Sequence, residues 1–355
     1  MFNALVKKYW SESWLLWSAC AFILPLFCWM RIWIVAQFEL SRLEPLLEQL
    51  KPFEKFSPVP VSQFLTYAGS IAMTFDEPVV ILCVLVWSIS RGSDVVSGEI
   101  HRGTMEMLLA QPITRRGIML AHALVSMFGL AFLCLLVWIG ISFGIETLSI
   151  RETPATPTMQ LSWLPIEIPL GLSNSTAEPM WVPLKERVDG RLYLPPTLNL
   201  FGFSYFVFGL SVLFSAIDKY RWRTIGIVIG IYVLQFMLYL LGKSTPATSW
   251  ALNLTFFSAY RPDDIVRVIV EQPNYAWAWL HWDKSGEFVG LGPLGYSVLL
   301  ILCGAAFHLS GIYYFHRRDL PAPLWYPRRK QSETEQNSHY SARAIFTSSA
   351  SNTLS

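Results

Sequence analysis

Runs of about 20 consecutive residues with almost no charge set the terms for this chain, because a helix of that length crosses about 30 Å of hydrocarbon. They occupy 14–36, 118–143, 198–217, 224–242 and 293–315. A sixth run, 67–90, is apolar on both sides of Asp76-Glu77-Pro78. Inside hydrocarbon every backbone N–H and C=O must be satisfied within the chain. The expected fold is therefore all-α, a polytopic helical membrane protein of six transmembrane helices.

Composition agrees with that reading and closes off others. Only 15 % of the 355 residues are charged, against roughly 25 % in an average soluble protein, which argues against a two-domain cytosolic enzyme. The formal net charge of +2 is too balanced for a nucleic-acid partner, which needs a concentrated basic face. Cys20, Cys28, Cys83, Cys134 and Cys303 all lie in apolar runs without a CxxC, so neither a disulfide framework nor a zinc site is expected. The first run is about twice as long as a secretory h-region and has no small-residue cleavage signal, so it is read as a retained span.

Placing the spans alternately on two sides gathers Lys7, Lys8, the segment 91–116, Lys219, Arg221, Arg223 and everything after Phe315 on one of them. Cations in short loops orient membrane proteins toward the cytoplasm. The short loop Asp218-Lys-Tyr-Arg-Trp-Arg223 carries three, and His316-Arg-Arg318 follows the last span directly. Both termini are then cytoplasmic, and the external loops are 37–66, 144–197 and 243–292. The second external loop holds eight prolines, which argues against a continuous helix. In the third, Asp263 to Val270 has the pattern of a short amphipathic element. The tail 326–355, polar and rich in Ser, is expected to be disordered.

The segment 93–116 between the second and third spans is too polar to cross a membrane and too patterned for an idle loop. Its sequence predicts an amphipathic cytoplasmic helix, capped by Ser97 and stopped at Pro112. Glu99, Arg102 and Glu106 share one face at pairing distance, with Ile100, Met107 and Leu108 opposite. Such a helix can lie on the membrane surface as a plain interfacial element or present its charged ridge to a partner.

The string Asp94-x-x-Ser97-Gly98-Glu99-x-x-x-Gly103-Thr104-x-x-x-Leu108-Leu109-x-x-Pro112-x-x-Arg115 resembles the cytoplasmic signature of membrane permeases of type 2 ATP-binding-cassette (ABC) exporters, including the branch similar to copper-enzyme maturation permeases. Phe315-His-Arg-Arg318-Asp319-Leu-Pro321 is similar to that family's close of the last span. The resemblance implies a membrane subunit with no ATPase of its own, in the cytoplasmic (inner) membrane of a prokaryote. It implies partnership with a pair of nucleotide-binding ATPase subunits and with a second permease subunit, same or homologous. ATP and magnesium would be held by the ATPase, and no cofactor by this chain. It also implies that the helix after Ser97 is the coupling helix, a role carried onto Asp94, Glu99, Arg102, Gly103, Thr104, Glu106, Pro112 and Arg115. The acidic interruption and the long external loops lie outside the pattern.

Asp76 and Glu77, within or beside a span, have two readings. They line a substrate or proton path, because charge in a bilayer is costly and usually functional, or they sit at the outer interface ahead of a helix starting at Pro78. His122 and His308 are read as helix-packing residues, and Arg31 as a snorkelling one. Gly140-x-x-x-Gly144 and Gly226-x-x-x-Gly230 permit close helix approach or a subunit contact. Gly242-Lys-Ser-Thr245 imitates the end of a phosphate loop, but Met237 stands where that loop needs glycine. Two other function classes stay open beside the exporter: a non-transporting scaffold that tethers an ATPase, and a membrane-embedded enzyme, for which no HExxH or carboxylate cluster is present.

Overall fold

Apolar sequence becomes helix wherever it is long enough, and prolines and hydroxyls set where each helix begins. The computed structural model describes residues 2–37, 66–152, 158–160, 167–169, 180–282 and 288–318. The first span is α1 (Phe2–Gln37). The second is composite: α2 (Tyr67–Ala72), a 3-10 turn Met73–Asp76, α3 (Pro78–Ser93), a π turn Asp94–Gly98, and α4 (Glu99–His101). After the short α5 (Met105–Leu109) come α6 (Arg115–Thr147), α7 (Leu194–Ile217) and α8 (Arg221–Ser244). An amphipathic α9 (Pro262–Glu271) precedes the last span, α10 (Pro293–Arg317). Six of these units are long and apolar enough to cross a membrane.

The boundaries have local causes. Thr114 accepts a bond from Gly117 N–H at 3.1 Å and starts α6, and Thr66 does the same for α2 through Gly69. A side-chain oxygen at this position satisfies one of the orphan amides of a first turn. Pro78 opens α3 and Pro195 and Pro196 lie in the first turn of α7, where a missing N–H costs nothing. The 36 residues of α1 reach about 54 Å at 1.5 Å per residue, so its amino end extends well past a single hydrocarbon layer.

α7 is buried along most of its length, with α10, α3, α6 and α8 packed around it. α1 lies on α6, where Gly140 and Gly144 meet Pro25 and Ile32. That glycine pair serves a contact inside the chain. α8 is the reverse of α7: only Thr224, Val228 and Gly242 are buried, and nothing stands within 4 Å of the side-chain positions of Gly226 and Gly230.

Among the described residues there are three two-stranded antiparallel pairs, β1 (Ser149–Glu152) with β4 (Met180–Pro183), β2 (Thr158–Gln160) with β3 (Glu167–Pro169), and β5 (Leu280–Trp282) with β6 (Phe288–Leu291), of which the first and third lie at the end away from α4. At the same end the chain leaving α8 turns back alongside it. Thr248 Oγ1 donates to the Leu241 carbonyl at 2.6 Å and Thr255 Oγ1 to the Gln235 carbonyl at 3.0 Å. This second bond lies about 13 Å below Ser244 by helical rise. Phe256 and Phe257 are thereby inserted among Phe203, Tyr232 and Phe236. Tyr260 then donates to the Phe75 carbonyl at 2.8 Å and fixes the 3-10 turn ahead of α3.

The expected amphipathic element at Asp263 to Val270 is α9. The expected disorder of 326–355 and most of the loop 37–66 lie outside the described residues, as does part of 144–197.

Candidate functional site

Helix ends converge at one end of the bundle. Lys8 of α1, Asp94 and Glu99 at the close of the second span, Arg221 at the start of α8 and Arg115 at the start of α6 all meet or touch neighbours there. The junction starts from a defect in the helix. Ser215 of α7 places its hydroxyl into the second span, accepting from Val96 N–H at 3.2 Å and Ser97 N–H at 2.9 Å and donating to the Ser93 carbonyl at 3.1 Å. A side chain inserted into the i→i−4 ladder is a recognised cause of a local change in helix winding, and here the turn Asp94–Gly98 is wound as π.

Winding the turn this way brings Asp94 inward. Its carboxylate is almost fully buried and receives three guanidiniums: Arg102 Nη1 at 2.6 Å with Nη2 at 3.4 Å, Arg221 Nη1 at 3.3 Å, and Arg91 Nη1 at 3.6 Å. Gly98 faces that carboxylate so closely that a methyl group there would overlap Asp94 Oδ1. Glu99, 1 % exposed at its side chain, takes Lys8 Nζ at 2.6 Å, Arg102 Nη2 at 3.4 Å and the Thr104 hydroxyl. A buried carboxylate survives only when paired and hydrogen-bonded, and both acids meet that requirement with partners from three spans.

Beyond His101 the helix breaks. Gly103 has φ 72°, a left-handed conformation that glycine adopts without a Cβ penalty. α5 follows and is held by apolar contact instead of charge. Leu108 joins Leu5, Tyr9, Ile118, Ala121 and Val125 in one cluster between α1 and α6, with Leu109 and Ile113 against it. What remains outward in 93–116 is His101, Arg102, Gly103, Met107 and the turn from Ala110 to Pro112, followed by Thr114 and Arg116, with Met107 70 % exposed.

Two expectations from the sequence need correction. Ser97 does not cap a helix; it is buried inside one, its hydroxyl donating to the Ser93 carbonyl at 2.7 Å. Nor is there one amphipathic helix with Glu99, Arg102 and Glu106 on an outward ridge. Gly103 divides the segment, Glu99 faces the interior, Glu106 is half-buried on α5, and Leu108, expected on the membrane face, packs inside the protein. A projection at 100° per residue assumes uniform α geometry across a stretch that contains a π turn and a break.

Of the residues singled out by the motif, Asp94, Glu99, Arg102, Gly103 and Thr104 come together. Pro112 lies in the exposed turn before α6, and Arg115 donates to the Phe315 carbonyl at 3.2 Å while lying 5.7 Å over that ring. Burial works against the charge of Arg102, but its hydrogen bond to Asp94 and the nearby charges of Asp94 and Glu99 outweigh it, so its pKa is raised. The motif did not point to Lys8, Arg91, Arg221 or Ser215. The first three were visible only as cations on the same side; Ser215 gave no signal.

Asp76 and Glu77 lie at the other end of the bundle. Glu77 pairs with Arg31 at 2.7 Å, so Arg31 bridges to a neighbouring span. Asp76 is exposed at the last residue of the 3-10 turn, and the helix starts at Pro78. His122 sits 5.0 Å from the Tyr9 ring with Ser126 Oγ 3.4 Å from its Nδ1, and His308 Nδ1 is 3.4 Å from the Tyr205 hydroxyl. Gly242 is pressed against Leu252 and Lys243 Nζ lies 4.8 Å over the Tyr239 ring, a packing corner.

Six apolar helices, with a charge-paired junction at one end of the bundle, define a multi-pass helical membrane protein. A family model described as ABC-2 family transporter protein matches residues 12–320, and the chain belongs to that family. The family supplies membrane subunits of ABC transporters, with the ATPase on a separate subunit. No curated protein matches the chain.

Proposed function

We propose that this chain is the permease subunit of an ABC exporter, oriented with both termini in the cytoplasm of a prokaryotic cell and embedded in its inner membrane. Two ATPase subunits, holding ATP and magnesium, dock on the outward part of 93–116 and drive a change of access in the spans. Asp94, Glu99, Arg102, Gly103, Thr104, Glu106, Pro112 and Arg115 form the coupling segment. A second permease subunit completes the assembly, and the open face of α8 around Gly226 and Gly230 supports such a contact. Membership in the branch similar to copper-enzyme maturation permeases rests on the motif string alone.

The observation that carries the reading is the division of labour within the segment. Its exposed residues lie between two firmly held parts, so a push on them is transmitted to α1 through Lys8, to the second span through Asp94 and to α8 through Arg221. Coupling of ATPase closure to the spans requires that kind of connection, and by linkage a substrate would in turn alter ATPase behaviour. Asp76 remains the proposed acidic residue on the path to the outer face, with Glu77 joined to Arg31 beside it.

The test is a gentle-detergent pulldown of the tagged chain with mass spectrometry of what stays bound, alongside Met107→Asp. A stoichiometric ABC ATPase retained by the wild type and lost in the variant, with the melting temperature unchanged, is the expected result. Retention in both would remove this surface from the docking site. Substrate-stimulated ATP hydrolysis by the complex separates a transporter from a tethering scaffold.

A further inference from the structure

At the end of the bundle opposite the charged junction, α9, the β5–β6 hairpin and the head of α10 line a half-open cavity of about 130 Å³. Its polar lining comes from Arg261, Arg267, His281 and Tyr296, with Asp264 between the two arginines. Arg261 is fixed in place: its Nε donates to the Ser258 carbonyl at 2.6 Å and its guanidinium lies 5.5 Å over the Tyr296 ring. Arg267 is tied to Asp264 by an ion pair of 2.9 Å, whereas Arg261 Nη1 is 3.9 Å from the same carboxylate. One carboxylate therefore faces two guanidiniums, and the lining keeps an excess of one positive charge before His281 is counted.

We propose that this cavity binds a phosphate group. Guanidinium forks match phosphate oxygens in geometry and charge, and the imidazole and phenol add donors from two other walls. The volume is well below the ~300–1,000 Å³ of sites for drug-sized molecules, so it admits a phosphate and not a whole transported substrate. Pro293, the first residue of α10, lines the cavity, which sets it where a span emerges into the headgroup layer. At that depth lipid phosphates come within reach of the two guanidiniums. The phosphate is carried by a phospholipid or by a free phosphate ester, and the chemistry of the lining is the same for both. The inference does not depend on the transport reading.

Native mass spectrometry of the full-length protein in detergent tests it, with dioleoylphosphatidylglycerol, dioleoylglycerol and glycerol 3-phosphate added separately. The wild type is expected to retain the phospholipid about tenfold better than Arg267→Gln, the loss of one charge-assisted contact, with Arg267→Lys between them and dioleoylglycerol indifferent to both substitutions. Retention of glycerol 3-phosphate as well assigns the site to free phosphate esters; retention of the phospholipid alone assigns it to lipid. Should Arg267→Gln lower the melting temperature, His281→Gln on the hairpin wall carries the same comparison. Where neither the phospholipid nor glycerol 3-phosphate is retained better by the wild type than by the folded variants, the proposal is overturned, as it is by an equal effect on dioleoylglycerol.

Discussion

Lys8 Nζ and Glu99 Oε1 lie 2.6 Å apart, joining the amino end of α1 to the close of the second span across 91 positions of sequence. Because the Glu99 side chain is 1 % exposed, removing Lys8 leaves a buried charge held only by Arg102 Nη2 at 3.4 Å and the Thr104 hydroxyl. Lys8→Met is expected to destabilise the protein by about 1–3 kcal/mol. The double variant with Glu99→Gln should lose less than the two single losses together. Thermal unfolding in one detergent measures all three, and strict additivity would mean that the pair does not interact. Glu99→Ala is for this reason a poor probe of docking, since it disturbs the fold that presents the docking surface.

Gly98→Ala forces a methyl group onto the Asp94 carboxylate, which three guanidiniums hold in place. Displacing that carboxylate opens the whole junction. The expected outcome is a loss of about 1–3 kcal/mol, the usual cost of overpacking, together with increased protease cleavage after Arg102. Wild-type stability and cleavage in the variant would show that Asp94 can move aside.

Ser215→Ala removes the hydroxyl that serves Val96 N–H, Ser97 N–H and the Ser93 carbonyl. Buried groups left without a partner cost about 1–3 kcal/mol. Hydrogen exchange at Val96 and Ser97 should accelerate in this variant while the middle of α7 keeps its protection. No change there would indicate that the turn rewinds to α geometry.

The contrast between what could be read in advance and what could not follows from how each feature is encoded. Span count and helix identity depend on local composition, so Pro293 and the runs themselves announced α10 and its neighbours. Pro78 as a first-turn residue was legible for the same reason. The junction was not, because its geometry depends on residues far apart in sequence. Ser215 reaches Ser97 from 118 positions away and the winding it imposes turns Glu99 inward. A projection that assumes 3.6 residues per turn cannot contain that effect. Arg31 was read as snorkelling because its partner, Glu77, lies on another span.

The first turn of α9 gives a dependence on pH. Burial, with a contribution from the adjacent Asp264, raises the pKa of Asp263 above its usual carboxylate value. A carboxyl whose folded-state pKa exceeds its unfolded value binds more protons when native, so stability falls as pH rises from the unfolded value through the folded one and is level above it. Asp263→Asn is expected to raise the melting temperature at neutral pH and to flatten the acidic part of the profile. A lower melting temperature at neutral pH would show that the ionised carboxylate is doing structural work.

The break at Gly103 leaves the two halves of the segment seated on bearings of different kinds, ionic for Glu99 and Arg102, greasy for Leu108 and Leu109. Ionic strength weakens the first, most at its half-exposed Arg102, and leaves the second untouched; cooling weakens the second. A lever hung this way slips at one seat before the other, and brine and cold would select opposite ends.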